Sequence, residues 1–351
     1  MLPPSAIVHA RPSTCTTLNH LFEGSEDITL WRAGLAFVSS GLVPSPTQRG
    51  RILLANLSGS TPTIAPVAID AGNTLGRNFS AFGFRPHGLH LDNSSSRLYA
   101  VSHSDLLHEE AVFVFDVQAA AETPDVMPSL RFRYALTSPH FQYHNRSLLW
   151  FLNDVAAVDG SDELYVTQLG PLDFSPATFK RDKALWRCTW DEASIGADGR
   201  LAASCASALP SLFLGLNGVT INPSASTLFV NDEFGGVGGS SRLLPFARDR
   251  TTGVLKAGAP IALNGSSIDN VERDCASGDL LMGQYHNQHG GSQDAGLRIR
   301  SVDGHGYAPA RVMSRAAIPK ATKFQVSSAL TYGQWTLLGS PWDLGPYACR
   351  A

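Results

Sequence analysis

Positive charge is scarce and scattered in this chain. Its 27 Lys and Arg against 30 Asp and Glu leave a formal net charge of −3, and no cluster of basic residues forms along its 351 residues. That distribution gives no electrostatic footprint for nucleic acid. No stretch approaches the roughly 18 apolar residues that a membrane-spanning helix needs, and residues 1–20 lack the apolar centre of an export signal. Helical periodicity is nearly absent, which turns the reading toward strands. Also missing are Gly-x-Ser-x-Gly, His-Glu-x-x-His and Gly-x-Gly-x-x-Gly, so serine hydrolase, zinc protease and dinucleotide chemistry lose their usual warrants. Nor do His or Cys residues pair at the spacing that zinc favours.

What the chain has instead is punctuation and a recurrent pattern. It carries 32 Gly and 21 Pro beside 43% hydrophobic residues, enough for many short strands around a sizeable core. Five segments place polar residues at the mouth of an apolar strand: Ser25-Glu26-Asp27-Ile28, Pro86-His87-Gly88-Leu89, Leu152-Asn153-Asp154-Val155, Leu216-Asn217-Gly218-Val219 and Ile268-Asp269-Asn270-Val271. They stand roughly 60 residues apart, the period of radial β architectures in which each unit buries its faces against its neighbours. Four are followed by a second apolar run, at 97–101, 163–166, 227–230 and 279–282, across turn-rich stretches such as 91–96 and 222–226. The C-terminal stretch 332–339 leaves room for a sixth unit that closes on the N-terminal strand. The expected fold is therefore all-β, a six-bladed β-propeller, with a flexible N-terminal extension over 1–14 and one domain over 15–351.

Five cysteines bear on the compartment. Cys15 and Cys349 lie at opposite chain ends, which ring closure would bring together, while Cys188 and Cys205 flank the turn at 196–199 and could face each other across a hairpin. Cys275 is left over. Asn-x-Ser triplets at Asn56, Asn78, Asn93, Asn145 and Asn264 fit a secreted glycoprotein. The expectation is secretion with the export signal removed from this sequence; an intracellular protein is the alternative.

In a propeller the first strand of each blade lines the central channel, so residues at its start converge on one point. The inventory there is Glu26, Asp27, Asn153, Asp154, Asn217, Asp269 and Asn270, all oxygen donors, the set that a hard cation such as calcium takes. Neighbours along a strand point in opposite directions, so adjacent polar pairs can serve two ions. One set (Glu26, Asn153, Asn217, Asp269, Asn270) carries two formal charges and leaves its cation available as a Lewis acid; the other (Asp27, Asp154 and a backbone carbonyl) reads as structural. Singly, each such residue is more often a turn or cap. Their recurrence at one blade position is what favours a metal centre. His87 opens its blade strand and His103 ends the next, so pairing across the Asn93–Ser96 turn brings two imidazoles together as a base and its relay. His286, following an inner strand toward the mouth, is held open; the remaining histidines considered are read as structural or solvated.

Taken together, Gly24-Ser25-Glu26-Asp27, the run 34–42, Pro86-His87-Gly88, the run 153–158, Asn217-Gly218-Val219 and Ile268-Asp269-Asn270 resemble the serum paraoxonase/arylesterase family of calcium-dependent lactonases. The resemblance spans the chain from Cys15 to Cys349, with weak matches between the motifs. It implies a six-bladed propeller holding two calcium ions in its central channel. It places Glu26, Asn153, Asn217, Asp269 and Asn270 on the catalytic calcium, and Asp27, Asp154 and the carbonyl of Leu89 on the structural one. His87 and His103 fall on the family's proposed dyad, and Cys15 with Cys349 on its terminal disulfide. The implied activity is hydrolysis of lactones or aryl esters, with organophosphates as promiscuous substrates. The apolar N-terminal helix that holds lipoprotein in mammalian members is missing, so no lipoprotein or membrane anchor is carried over. Loops at 168–183 and 284–293 also differ, which leaves the particular substrate open. The competing expectation is a non-catalytic propeller whose calcium stabilises a binding module.

Overall fold

The computed structural model describes residues 15–18, 23–42, 50–70, 83–104, 109–118, 127–141, 152–169, 184–209, 213, 215–233, 235, 241–263, 267–274, 277–285, 295–302, 306–307, 311–315, 326–344 and 346–350. The expected extension over 1–14, Cys275, His286, most of the two divergent loops and the triplets at Asn78, Asn145 and Asn264 lie outside the described residues. Among the described residues the only helical elements are two three-residue 3-10 turns, Pro139–Phe141 and Glu192–Ser194. The protein is all-β and propeller-like.

Each polar-mouthed segment begins a sheet. The strand Glu23–Arg32 pairs antiparallel with Leu35–Ser40, Pro86–Asp92 with Arg97–Ser104, Leu152–Ala157 with Glu163–Gln168, Leu216–Ile221 with Thr227–Asp232, and Ser267–Arg273 with Leu280–Tyr285. The second apolar runs read from the sequence fall within the second strand of each pair, save that Asp279 stands just before Leu280–Tyr285, and further strands extend the sheets outward. The turns between pairs follow their chemistry. In the first strand's neighbour, for instance, Asp92 Oδ1 accepts from Ser94 N at 2.8 Å and Ser95 N at 3.2 Å, and Ser96 takes φ 54° to complete the reversal.

The five leading strands and Ser328–Tyr332 pack side by side in chain order, and Ser328–Tyr332 packs back against Glu23–Arg32. The apolar core is accordingly divided among the gaps between sheets. Phe37, Ile52 and Leu54 meet Leu98, Phe113 and Phe115 in one gap, and Tyr99, Val101 and Val112 meet Val155, Leu164 and Val166 in the next. Strands covered on both faces have no polar side to spare, which is why Glu163–Gln168 and Leu280–Tyr285 are buried at every position.

Closure uses both chain ends. Trp335–Leu344 pairs with Glu23–Arg32, and Tyr347–Arg350 pairs with Cys15–Thr17 so that Cys15 stands opposite Cys349 and is bonded to it. Cys188 and Cys205 are likewise cross-strand partners joined by a disulfide. Their surroundings differ from a simple hairpin, because Arg200–Ala202 leaves the turn to pair parallel with Ser129–Thr137 of the preceding sheet. Cross-linking residues this far apart in sequence removes much unfolded-state entropy, on the order of 5 kcal/mol in the chain-entropy model. The double variant Cys15→Ser/Cys349→Ser is therefore expected to show a markedly lower urea midpoint; an unchanged midpoint would contradict covalent closure as a source of stability.

Candidate functional site

The ladder breaks register at the same place in all five leading strands: between Ser25 and Ile28, Pro86 and Leu89, Leu152 and Val155, Leu216 and Val219, and Ile268 and Val271. Each break contains the two polar or glycine residues of its motif. A bulge frees residues from the ladder and re-aims their side chains, a device common beside functional sites. It is also why strict alternation between faces does not decide where both members of a pair point.

Hydroxyls and amides on neighbouring strands hold the bulges open. Ser39 Oγ accepts from Asp27 N at 2.9 Å and Thr167 Oγ1 from Asp154 N at 3.0 Å. Asn231 Nδ2 donates to the carbonyls of Ile268 and Asp269 at 2.5 and 2.8 Å. Between strands the fit alternates in size. A Cβ on Gly88 would stand 2.5 Å from Asp154 Cα and 2.7 Å from the Asn153 carbonyl, and one on Gly218 would stand 2.7 Å from Asn270 Cα. Glycine at these two positions lets the next leading strand approach closely.

Asp27 and Asp154 stitch across those glycines. Asp27 Oδ1 accepts from Ile28 N at 2.8 Å and Oδ2 from Leu89 N at 2.6 Å; Asp154 Oδ1 accepts from Val155 N and Oδ2 from Val219 N, both at 2.7 Å. Leu89 meets the cluster through its N–H. Burial, then the neighbouring carboxylates, push both aspartates well above the usual carboxylate range.

Glu26 is 1% exposed, and burial raises its pKa to about 8 against the opposing bond from Asn270. Asn270 Nδ2 donates to Glu26 Oε1 at 2.6 Å, and His87 Nε2 lies 3.3 Å from the same oxygen. On the next leading strand but one, Asn217 Nδ2 donates to Glu233 Oε2 at 3.1 Å. With those bonds made, Glu26 Oε2, Asn153 Oδ1, Asn217 Oδ1 and Asn270 Oδ1 are buried without a hydrogen-bond partner. Buried polar atoms are normally paired, so four orphan oxygens at one bulge level call for a ligand or water. Asp269 sits beside them, 6% exposed. Among the described residues no group of three or more His, Cys, Asp or Glu side chains gathers in a metal-holding arrangement; the orphan donors are mainly amide oxygens.

The two histidines meet. His87 Nδ1 and His103 Nε2 are 2.7 Å apart, and both rings are buried. Burial lowers the His87 pKa to about 3 and also lowers that of His103, so both rings are neutral at ordinary pH. Sequence reasoning missed Glu110, whose Oε1 lies 2.8 Å from His103 Nδ1, and Glu233. Glu110 opens the apolar run 111–115, a place where a lone carboxylate reads as solvent-facing. Sequence reasoning also missed His90, buried with an unpartnered Nε2. His140, read as structural or solvated, stacks on Trp186 with centroids 4.3 Å apart.

A propeller-like β fold with an axial cluster of carboxylates, amides and a histidine pair defines the class. No protein-family model matches the chain. It is 25% identical over 291 residues to human serum paraoxonase/lactonase 3, covering 79% of this chain and 70% of that protein. Against rat serum paraoxonase/arylesterase 1 it is 30% identical over 162 residues, 44% of this chain and 39% of the relative. A solved structure of PQQ-bound aldose sugar dehydrogenase from Streptomyces coelicolor superposes with TM-score 0.50 at 11% identity, over 97% of this chain and 98% of that one, a likeness of fold alone. Its sequence relatives, serum paraoxonases named as lactonases and arylesterases, make the chain similar to that family.

Proposed function

We propose that this protein is a calcium-dependent hydrolase of lactones and aryl esters, acting at the mouth of a six-bladed propeller that extends from Cys15. The observation that carries the reading is the set of four orphan oxygens, on Glu26, Asn153, Asn217 and Asn270, beside the His87–His103 pair. These donors fit a hard cation, and amide oxygens suit calcium better than zinc. Relatives named as lactonases and arylesterases support the substrate class. Five leading strands with Ser328–Tyr332 as the sixth, packed in sequence around one axis, support the blade count.

Glu26, Asn153, Asn217, Asp269 and Asn270 would hold the catalytic ion, and Asp27 and Asp154, with Leu89 beside them, a structural one. When bound, such a cation polarises an ester carbonyl and stabilises negative charge on its oxygen. The chain's own residues do the rest. Asn270 orients Glu26, and His87, kept neutral by burial, takes a proton from the attacking water while His103 Nε2 backs it at His87 Nδ1. Secretion fits the two disulfides and relatives named for serum. Of the described glycosylation triplets, Asn56 already has its amide oxygen engaged by Ser58 Oγ at 2.6 Å.

The test is hydrolysis of phenyl acetate and a medium-chain lactone with calcium, after chelation, and after calcium is restored. Both substrates should turn over, activity should vanish on mild chelation before the fold melts, and added calcium should recover it. Failure to hydrolyse either substrate with calcium present would leave the binding-module reading standing.

A further inference from the structure

We propose that Glu233 is a positioning residue, which turns the Asn217 amide so that its oxygen and not its NH₂ is left to meet the catalytic cation. The inference rests on the calcium reading above and deepens it. Asn217 and Glu233 are 3% and 4% exposed, and Asn217 Nδ2 donates to Glu233 Oε2 at 3.1 Å. The other end of the amide, Asn217 Oδ1, is buried without a partner, at the bulge level of the orphan oxygens on Glu26, Asn153 and Asn270.

Backbone bonds fix the frame around this amide and leave its own rotation open. On one side of the bulge Leu216 stands opposite Asp232, on the other Val219 stands opposite Val230, and Val219 N is tied to Asp154 Oδ2 at 2.7 Å. Glu233, just past the end of the facing strand, is held as firmly. Its N donates to the Gly215 carbonyl at 2.7 Å, and its own carbonyl accepts from Ser241 Oγ at 2.9 Å. What remains is the last side-chain torsion of Asn217, a broad, roughly two-fold rotor whose ends share a shape but differ in polarity.

The wrong turn would take one oxygen from the cation and set a donor group against its charge. A carboxylate oxygen offers only an acceptor, so Glu233 favours the turn that leaves Oδ1 for the ion. Asn270 uses a related device, since its NH₂ goes to Glu26 Oε1 at 2.6 Å, a carboxylate within the ligand set. Glu233 has partners besides Asn217, and these bear on where its carboxylate stands, not on which end of an amide it accepts from.

Glu233→Met removes the acceptor at similar length, whereas Glu233→Gln removes the charge and keeps an oxygen that can accept from Asn217 Nδ2. Calcium is titrated calorimetrically into protein stripped on a chelating resin, and the step to read is the one that Asn217→Ala weakens. The melting temperature of each cation-free variant checks its folding. Kd should rise about 10- to 100-fold in Glu233→Met, the usual cost of losing a group that orients a metal ligand, and no more than about 3-fold in Glu233→Gln. Asn217→Asp supplies the decisive background, because a carboxylate presents an oxygen whichever way it turns. There Glu233→Met should cost no affinity and should gain some, as repulsion between two carboxylates is relieved.

An unchanged Kd in Glu233→Met overturns the proposal, as does the lack of any step weakened by Asn217→Ala. Equal losses in Glu233→Met and Glu233→Gln would assign the effect to charge, and a loss that persists beside Asn217→Asp would make Glu233 a ligand itself; either result overturns it too. If Glu233→Met does not fold, Glu233→Gln decides, a rise within about 3-fold supporting the proposal and one of about tenfold or more overturning it. Protein that shows these affinities but hydrolyses neither phenyl acetate nor a medium-chain lactone defeats the hydrolytic reading alone. Unaltered protein that binds no calcium defeats both.

Discussion

His87→Gln should lower kcat/KM for lactone and ester hydrolysis by roughly 10²- to 10⁴-fold, the usual contribution of a positioned base. Calcium content and melting temperature should stay close to those of the unaltered protein. The reason lies in what His87 does and does not hold. Its Nδ1 is committed to His103 at 2.7 Å, while its Nε2 faces the axial cluster. Its burial keeps the ring neutral, with a pKa near 3, so the lone pair is present across the working pH range but intrinsically weak. The cost of charging the ring is offset by the Glu110 carboxylate, which lies behind His103 and favours the protonated forms. Glutamine keeps polarity and approximate size but cannot take the proton. His103→Gln should cost less, since His87 would still face the cluster. Activity within a few-fold of normal for both variants would move the base to Glu26 or Asp269.

The bulge positions were legible in the sequence because they interrupt apolar runs with residues that strands otherwise avoid, and they do so at a steady interval. Asn153-Asp154 and Asp269-Asn270 are conspicuous between Leu152 and Val155 and between Ile268 and Val271. The His87–His103 contact was legible for a related reason. Both residues sit at the same end of one hairpin, whose turn is marked by Asp92 and three serines. The supporting residues were not. Glu110 and Glu233 act from strand ends whose depth depends on packing between sheets, and a single carboxylate at such an edge looks like ordinary solvent-facing chemistry. The partition of donors within each pair was read from strand alternation, but its physical cause, the bulge, was not legible. That bulge turns Asp27 and Asp154 sideways onto Leu89 N and Val219 N. The branching of Arg200–Ala202 into the neighbouring sheet depends on a parallel pairing that no local turn signal announces.

Protein freed of divalent cations on a chelating resin should be more stable near pH 5 than near pH 8, and calcium should reverse that order. Glu26, Asp27 and Asp154 are each buried to about 1% exposure or less, and among the described residues no Lys or Arg bonds to any of them. Burial raises Glu26 to about 8, and burial with mutual repulsion carries the two aspartates well above their ordinary value. A carboxyl with a raised folded pKa holds its proton in the folded state at pH values where the unfolded chain has released it. Between about pH 4.5 and 8 the folded protein therefore binds more protons, and its stability falls as pH rises through that window. For buried groups displaced this far the loss amounts to several kcal/mol, on the order of 1.4 kcal/mol per unit of pKa. A bound dication favours the ionised carboxylates and adds binding energy that only the folded state collects, so the slope should flatten or change sign. Asp154→Ala should blunt calcium's effect and weaken folding itself, because the bond to Val219 N that joins two leading strands is lost. Scanning calorimetry at the two pH values, with and without calcium, reads the outcome. Equal melting temperatures at pH 5 and 8 in cation-free protein, together with no response to calcium, would mean that this cluster holds neither the protons nor the ions assigned to it.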